Sequence, residues 1–318
     1  KIIKEPDKSI VFINEYGVAI KRIKASSRNK KEAKGEQIQA VMQNIIQASK
    51  IMKKKSKRLW LENIPEKIYI EDIEKKYNFI PSKDNKEIIV GEYDAPEQQE
   101  QGIVKYDLLT DGNTIIYGND GEENENLLSV IIYSLSKHYT PNEVNMYIMD
   151  YGSEFSRKFL QLPHIGGAVY ASEDDKYTNL LKLITNETNK RKRLFADYGG
   201  SFKNYLRNSK HELPVKLIII NNFDSLQENN SNVYEELLDI TRDSERYGIV
   251  YIITANTTGS IRSKMVQNFN NIYAFKLKDK YDYNFLFGIK SKTTPRDIFG
   301  RGIFKNVDKL NEFQTLSI

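Results

Sequence analysis

The chain has 318 residues, of which 39% are hydrophobic, 29% charged and 11% aromatic, a balance that buries a core and excludes a disordered polyelectrolyte. It contains no cysteine, which excludes disulfides, thiolate metal sites and cysteine nucleophiles and fits a reducing compartment. The net charge of +5 is unevenly placed: residues 1–60 hold 16 Lys/Arg against 5 Asp/Glu, so the other 258 residues carry −6, which argues against a nucleic-acid channel there, because positive charge must follow a phosphate path.

From the start, KIIKEPDKSI lacks a signal-peptide layout, and no stretch reaches the ~18 apolar residues of a membrane span, so a soluble piece of a longer protein is expected. Residues 9–24, SIVFINEYGVAIKRIK, carry β-branched and aromatic residues around Glu15 to Gly17 and predict a hairpin. Ile38, Val41, Ile45, Ala48, Ile51 and Met52 recur at helical spacing and predict an amphipathic helix over about 37–52. The run Lys53, Lys54, Lys55, Lys57 and Arg58 is a solvated helix end that suits the helix dipole. Residues 1–60 thus form a basic extension and linker from a preceding domain, and residues 61–318 the main domain. From Arg58 to about Lys105 only connecting structure with short extended pieces is expected.

Beyond Thr114 the pattern alternates. Strands are expected at 114–117, 144–150, 215–221, 249–255 and 272–277, with helices at about 124–138, 173–196, 231–245 and 260–268. Ser172 with Asp175 resembles a capping box at the start of the long helix. Such alternation means βαβ units and a mainly parallel sheet with helices on both faces. The fold class is therefore α/β, with an N-terminal hairpin and helix extension.

The segment TIIYGNDGEENENLLSVIIYSL (114–135) has the strand, glycine turn and striped helix that a phosphate-binding loop needs. Laid on G-x-x-x-x-G-K-[ST], Gly118 fits the first glycine, and Gly121 lies within the loop. Glu123, Asn124 and Glu125 stand at the second Gly, the Lys and the Ser/Thr. Asn124 cannot supply the cation for the β/γ-phosphates, and Glu125 lacks the hydroxyl for Mg²⁺. Asp120, Glu122, Glu123 and Glu125 bring carboxylates to a helix start, where they suit the dipole and repel a triphosphate. The apolar strand VKLIIINNFDSL (215–226) ends in Asn221 and Asn222 rather than acids; an amide is a poor ligand for a hard cation and no general base. Asp224 is expected to cap the following turn. Both the phosphate end and the metal end are degenerate, so neither ATP nor Mg²⁺ is expected to bind, and no catalytic residue or metal site is expected.

With these residues in place, the chain resembles the FtsK/SpoIIIE-type ATPase domains of the EssC/EccC family, the coupling proteins of type VII secretion, and looks most like the C-terminal domain of the firmicute form. The resemblance is carried by LWLENIP (59–65), GEYDAPEQQEQ (91–101), YDLLTDGNTIIYGNDG (106–121), YIMDYGSEF (147–155), LPHIGGAVYASEDD (162–175), ETNKRKRLF (187–195), IIINNFD (218–224), IITAN (252–256), FGRGIFKN (299–306) and FQT (313–315). The family's strand end is Asp-Asn-Tyr-Asp; Asn222 and Asp224 match it and Asn221 departs. The resemblance implies a P-loop NTPase-like fold of the RecA/FtsK type, a soluble domain at the cytosolic face of the bacterial membrane, neighbouring ATPase domains in the same chain, hexamer formation, and docking of small secreted helical-hairpin proteins. A pseudo-ATPase module for substrate recognition and motor assembly is the leading expectation. The alternatives are an ATPase completed by a noncanonical or subunit-shared site and an FtsK-like DNA translocase, although the domain's acidity speaks against nucleic acid. By motif placement Arg191, Arg193 and Arg262 occupy arginine positions, and they are expected to be surface ion-pair partners.

Three further groups are set aside. His138, His164 and His211 lack metal-ligand spacing. Asp150 with Glu154 after a strand could pair as carboxylates, but Asp150 is expected to accept local backbone hydrogen bonds. Tyr281, Tyr283, Phe285 and Phe287 could stack bases, but they are expected to be core aromatics near a sheet edge.

Overall fold

The computed structural model describes residues 9–24, 37–53, 61–82, 84–209 and 211–318; the basic positions Lys54, Lys55, Lys57 and Arg58 lie outside the described residues. The chain divides into two compact units, Lys1–Leu59 and Trp60–Ile318. In the first, β1 (Ser9–Ile13) and β2 (Ala19–Lys24) pair antiparallel. Their turn is closed by the Asn14 side chain, which accepts from the backbone N of Tyr16 at 3.0 Å and of Val18 at 2.9 Å, an Asx turn. Helix α1 (Gln37–Ile51) follows, with Ile38, Val41 and Ile45 exposed along its apolar stripe.

The second unit is built on one ten-stranded sheet. Its strands are β3 (Glu87–Ala95), β4 (Glu100–Asp107), β5 (Thr114–Tyr117), β6 (Val144–Asp150), β7 (Ile165–Tyr170), β8 (Val215–Asn221), β9 (Ile249–Ala255), β10 (Asn271–Ala274), β11 (Arg301–Asn306) and β12 (Lys309–Thr315), in the order β4-β3-β12-β11-β10-β5-β9-β8-β6-β7. The six strands from β10 to β7 are parallel. The other four join antiparallel.

Two cores flank this sheet, and strand alternation deals residues between them. Ile218 and Ile220 of β8 face one core and Leu217 and Ile219 the other, which is why the run at 217–220 is uninterruptedly apolar. Helices α4 (Asp174–Phe195), α6 (Phe223–Asn229), α7 (Val233–Thr241), α8 (Ser263–Val266) and α9 (Lys280–Phe287) place Ile184, Leu226, Leu237, Met265 and Tyr283 in the first core. Helices α3 (Gly121–His138) and α5 (Phe202–Asn208) place Leu128 and Phe202 in the second. A smaller cluster seats α2 (Ile70–Lys76) through Ile70 and Ile73 against Ile89 and Val130.

Three expectations are corrected here. The stretch 58–105 is not merely connective: it supplies α2, β3 and β4, because Ile88 and Val90 reach one core while Ile89 reaches the smaller cluster. Gly91 is needed on β3 because a Cβ there would lie 2.6 Å from the Gln314 carbonyl on the neighbouring strand. The helix expected over 231–245 ends at Thr241 and resumes as a 3₁₀ turn at Ser244–Tyr247. The one expected over 260–268 is a single turn, α8.

Candidate functional site

The site lies where β5, β6 and β8 end. Asp120 caps α3 by accepting from Glu122 N at 3.0 Å, so the helix starts at Gly121, three residues before the expected start. A phosphate loop needs its backbone N–H groups turned into a cradle; here residues 121–123 are already wound into the helix. Gly118 and Gly121 are not among the glycines with positive φ. Gly118 is required for space instead, because a Cβ there would collide with the Asn124 side chain.

Each replaced position has a partner within the fold. Glu123 is buried, and its Oε1 accepts from Gly300 N at 2.9 Å; burial raises its pKa, opposed by that hydrogen bond. Asn124, also buried, donates back to Gly118 O at 3.2 Å. Glu125 Oε1 accepts from Ser153 N at 3.0 Å and from Asn221 Nδ2 at 2.9 Å, and its Oε2 accepts from Ser153 Oγ at 2.6 Å. A side chain at the magnesium-ligating position thereby bridges the cleft.

Asn221 is the centre of this closure. Its Nδ2 donates to Glu125 Oε1 and to Asp150 Oδ1, the latter at 3.0 Å, while its Oδ1 accepts from Thr254 Oγ1 at 2.9 Å. Both amide hydrogens are thus held by carboxylates. An acid at this position would put a third carboxylate beside Asp150 and Glu125. Asp150 also accepts from Gly152 N at 3.2 Å and from Ser156 N at 3.0 Å, the local backbone role expected for it. Glu154 does not join it, pairing with Arg157 instead.

Asp224 does not cap the following turn. Asn222, at φ +62°, caps α6 by accepting from Ser225 N at 3.2 Å. Asp224 reaches across to hold the segment after β9, accepting from Asn256 N at 2.8 Å and from Ser260 Oγ. The cleft left between these groups measures about 390 Å³ and is lined by Glu122, Glu125, Asn221 and Asn222 among others; no Lys or Arg is among the described residues that line it.

The arginines divide. Arg191, expected at the surface, is 1% exposed. Its Nε donates to Glu187 Oε1 at 2.8 Å, Nη1 to the carbonyls of Tyr247 at 2.8 Å and Gly248 at 3.1 Å, and Nη2 to Pro214 O at 2.7 Å. Pro214 and Gly248 immediately precede β8 and β9, at the opposite ends of those strands from the cleft, so Arg191 ties strand starts together and faces no nucleotide position. Arg193 and Arg262 are exposed, and Arg262 lies 4.7 Å from the centre of the Tyr234 ring.

The histidines are engaged separately: His138 Nε2 contacts Glu74 Oε1 at 2.6 Å, and the buried His164 contacts Tyr139 O at 2.7 Å, while His211 is exposed. The aromatic quartet lies on α9, where only Tyr283 and Phe287 are core; Tyr281 and Phe285 are exposed at 66% and 69%. Helical rather than strand periodicity separates the two pairs. Ser153 and Thr254, which complete the network around Asn221, were not singled out from the sequence. Their signals are positional: Ser153 follows β6, and Thr254 lies beside the Asn221 strand.

Comparison with known proteins follows from this geometry. The chain is similar to the type VII secretion system protein EssC of Staphylococcus aureus, at 27% identity over 316 residues that cover 96% of this chain but 21% of that protein; it therefore spans about a fifth of the length of that curated relative. Among solved structures, EssC (ATPases 2 and 3) from Geobacillus thermodenitrificans superposes with a TM-score of 0.72 at 24% identity, over 81% of this chain and 48% of that one. Thermomonospora curvata EccC (ATPases 2 and 3), in complex with a signal sequence peptide, superposes with a TM-score of 0.66 at 19% identity, over 75% of this chain and 46% of that one. The FtsK/SpoIIIE family model matches residues 83–291, more than half of the chain, which therefore belongs to the FtsK/SpoIIIE family.

Proposed function

We propose that this chain is a nucleotide-independent module of a type VII protein secretion motor, a pseudo-ATPase that docks secreted helical proteins and helps assemble the motor. One observation carries the reading: Asn221, at the metal end, is held between Glu125 and Asp150, so side chains of the fold occupy the bridge that Mg²⁺ and phosphate would make. The early start of α3 and the carboxylates at its N-terminus support it, since they remove the backbone cradle and add charge that repels a triphosphate. No ATP or Mg²⁺ is required for its role. In the longer protein the module sits beside other ATPase domains at the cytosolic face of the membrane and joins a hexamer. The likeness to EccC in complex with a signal sequence peptide supports peptide docking as the mode. No helix among the described residues is long and apolar enough to cross a membrane.

Millimolar MgATP is expected to leave the melting temperature unchanged. A micromolar site would stabilise by about 4 kcal/mol at a thousandfold excess of ligand, several degrees for a domain of this size. A saturable upward shift would sink the proposal. Calorimetry of the chain against the host's small secreted helical proteins, with and without MgATP, tests the docking half: binding is expected without nucleotide, and binding that appears only with nucleotide overturns it.

A further inference from the structure

One carboxylate, Glu312 on β12, stands between two arginines in unlike surroundings. Arg301, at the start of β11, is 1% exposed. Its Nη2 donates to Ile64 O at 2.6 Å, but its Nε and Nη1 find no hydrogen-bond partner among the described residues. Glu312 Oε2 lies 3.9 Å from Nη1, just beyond hydrogen-bond reach. A buried guanidinium with unpaired donors carries the cost of its desolvation without the return that a close acceptor gives.

Arg296 holds the same acid from the solvent side. Its backbone N donates to Glu312 Oε1 at 2.7 Å, its Nε to Oε2 at 2.8 Å, and its Nη2 lies 2.7 Å from Oε2. The Arg296 side chain is 45% exposed, and an ion pair so open to water is screened and weak. Asp94 on β3 is directly opposite Glu312 in the strand register, a like charge that presses Glu312 toward a cation in either direction.

Arg296 belongs to a stretch, 289–296, that has neither helix nor strand. With Lys290 and Thr293 it walls one side of a cleft of about 630 Å³; Asp94 and Asp308 are on the other walls. Asp308 shares its two-residue turn with Val307, whose φ of +55° is strained for a β-branched residue. The stretch is anchored at one end by Ser291 N, which donates to Asn284 Oδ1 on α9 at 2.8 Å, and at the other by the Arg296 bonds to Glu312. The Lys276–Asp297 pair just beyond is more exposed still.

We propose that Glu312 is a two-position latch. Paired with Arg296 it fastens the 289–296 strap to β12; turned about 1 Å inward, to hydrogen-bond distance from Arg301, it frees the strap and opens the cleft. The outer position has more contacts, but water weakens them. The inner position supplies a charged acceptor to a cation that water does not reach, where such a bond is strongest. The two positions are therefore close in free energy, as a latch requires. The device is separate from the cleft at the ends of β5, β6 and β8 and does not depend on how that cleft is used.

The test uses the whole chain and follows hydrogen exchange of the 289–296 amides by mass spectrometry. Arg296→Ala removes the outer position and is expected to speed that exchange about tenfold. Arg301→Met removes the inner one and is expected to slow it about threefold, although the Arg301 guanidinium makes no hydrogen bond to the strap. In the Arg296→Ala background Arg301→Met is expected to change nothing further, since the strap is already free. Exchange that is unchanged or faster in Arg301→Met overturns the proposal and makes Glu312 a fixed bridge. If Arg301→Met does not fold, nitrogen NMR of the Arg301 side chain decides: in Arg296→Ala its N–H protons are expected to exchange with water about tenfold more slowly than in the wild type, because Glu312 has turned to them. No slowing overturns the latch.

Discussion

Where β5, β6 and β8 end, the Asn221 amide is matched on both sides, to Asp150 and Glu125 through its hydrogens and to Thr254 through its oxygen. At the other end of the sheet, Val307 sits in a strained backbone with its side chain in water. The first arrangement spends the Asn221 amide on the fold. The second gives up stability to keep an apolar group outside. Breaking the bonds that hold the Asn221 amide would precede any new contact there, whereas the Val307 side chain has no such bonds to give up.

The satisfied half of this contrast breaks hardest at Arg191. Its guanidinium is buried and reaches Glu187 and three backbone carbonyls, so Arg191→Ala strands those acceptors and a carboxylate. The expected loss is about 3–5 kcal/mol, read as a lower urea midpoint. Arg191→Lys is expected to lose most of the same amount, because a single ammonium cannot reproduce the planar fork. A loss below about 1 kcal/mol for Arg191→Ala would mean that the hub is incidental.

A smaller effect is expected at Asn221. Asn221→Asp removes the donor that separates Asp150 from Glu125 and adds a like charge, for an expected loss of about 1–3 kcal/mol at neutral pH. Like charges raise the folded-state pKa of the new acid. The penalty is therefore present above that folded pKa and fades as pH falls toward the ordinary carboxylate value. Urea midpoints across pH check the sign. If Asn221→Asp is neutral at pH 7 and Mg²⁺ stabilises the variant, the cleft is an open metal site and the contrast fails.

The periodic parts of the fold were legible in the sequence: the strands at 114–117, 144–150, 215–221 and 249–255 form as read, because central parallel strands carry apolar runs that few other elements tolerate. The flanking antiparallel strands were harder to read. β3 and β4 looked like connection because their apolar residues are divided between a main core and the small cluster under α2, a division that only tertiary packing reveals. At the site, the missing Lys and Asp could be read from the sequence, but their substitutes' partners could not. Glu125 meets Asn221 across 96 positions and Glu123 meets Gly300 across 177, separations at which local pattern carries no signal. Arg191 was misplaced for a related reason: exposure is the norm for arginine, and only the Glu187 spacing of i, i+4 hinted at a fixed partner.

The smallest expected effect, at Glu123, sharpens the contrast from within the satisfied half. Its carboxylate is matched to Gly300 N, yet burial raises its pKa, with the Asp120 charge adding to the rise and the hydrogen bond opposing it. An acid whose folded pKa lies above its unfolded value contributes stability that is fully present below the unfolded pKa and is lost as pH rises through the folded one. At neutral pH the ionised Glu123 therefore costs a little stability. Glu123→Gln keeps the acceptor for Gly300 and removes the buried charge, so its melting temperature is expected to rise by roughly 1 °C at pH 7, the wild-type and variant curves converging as pH falls below about 4.5. A fall in melting temperature at pH 7 would mean that the ionised carboxylate is needed at the start of α3, either for the helix dipole or for a cation in the cleft. Mg²⁺ titration of the wild type separates the two: a cation site would answer to the metal, and a dipole contact would not.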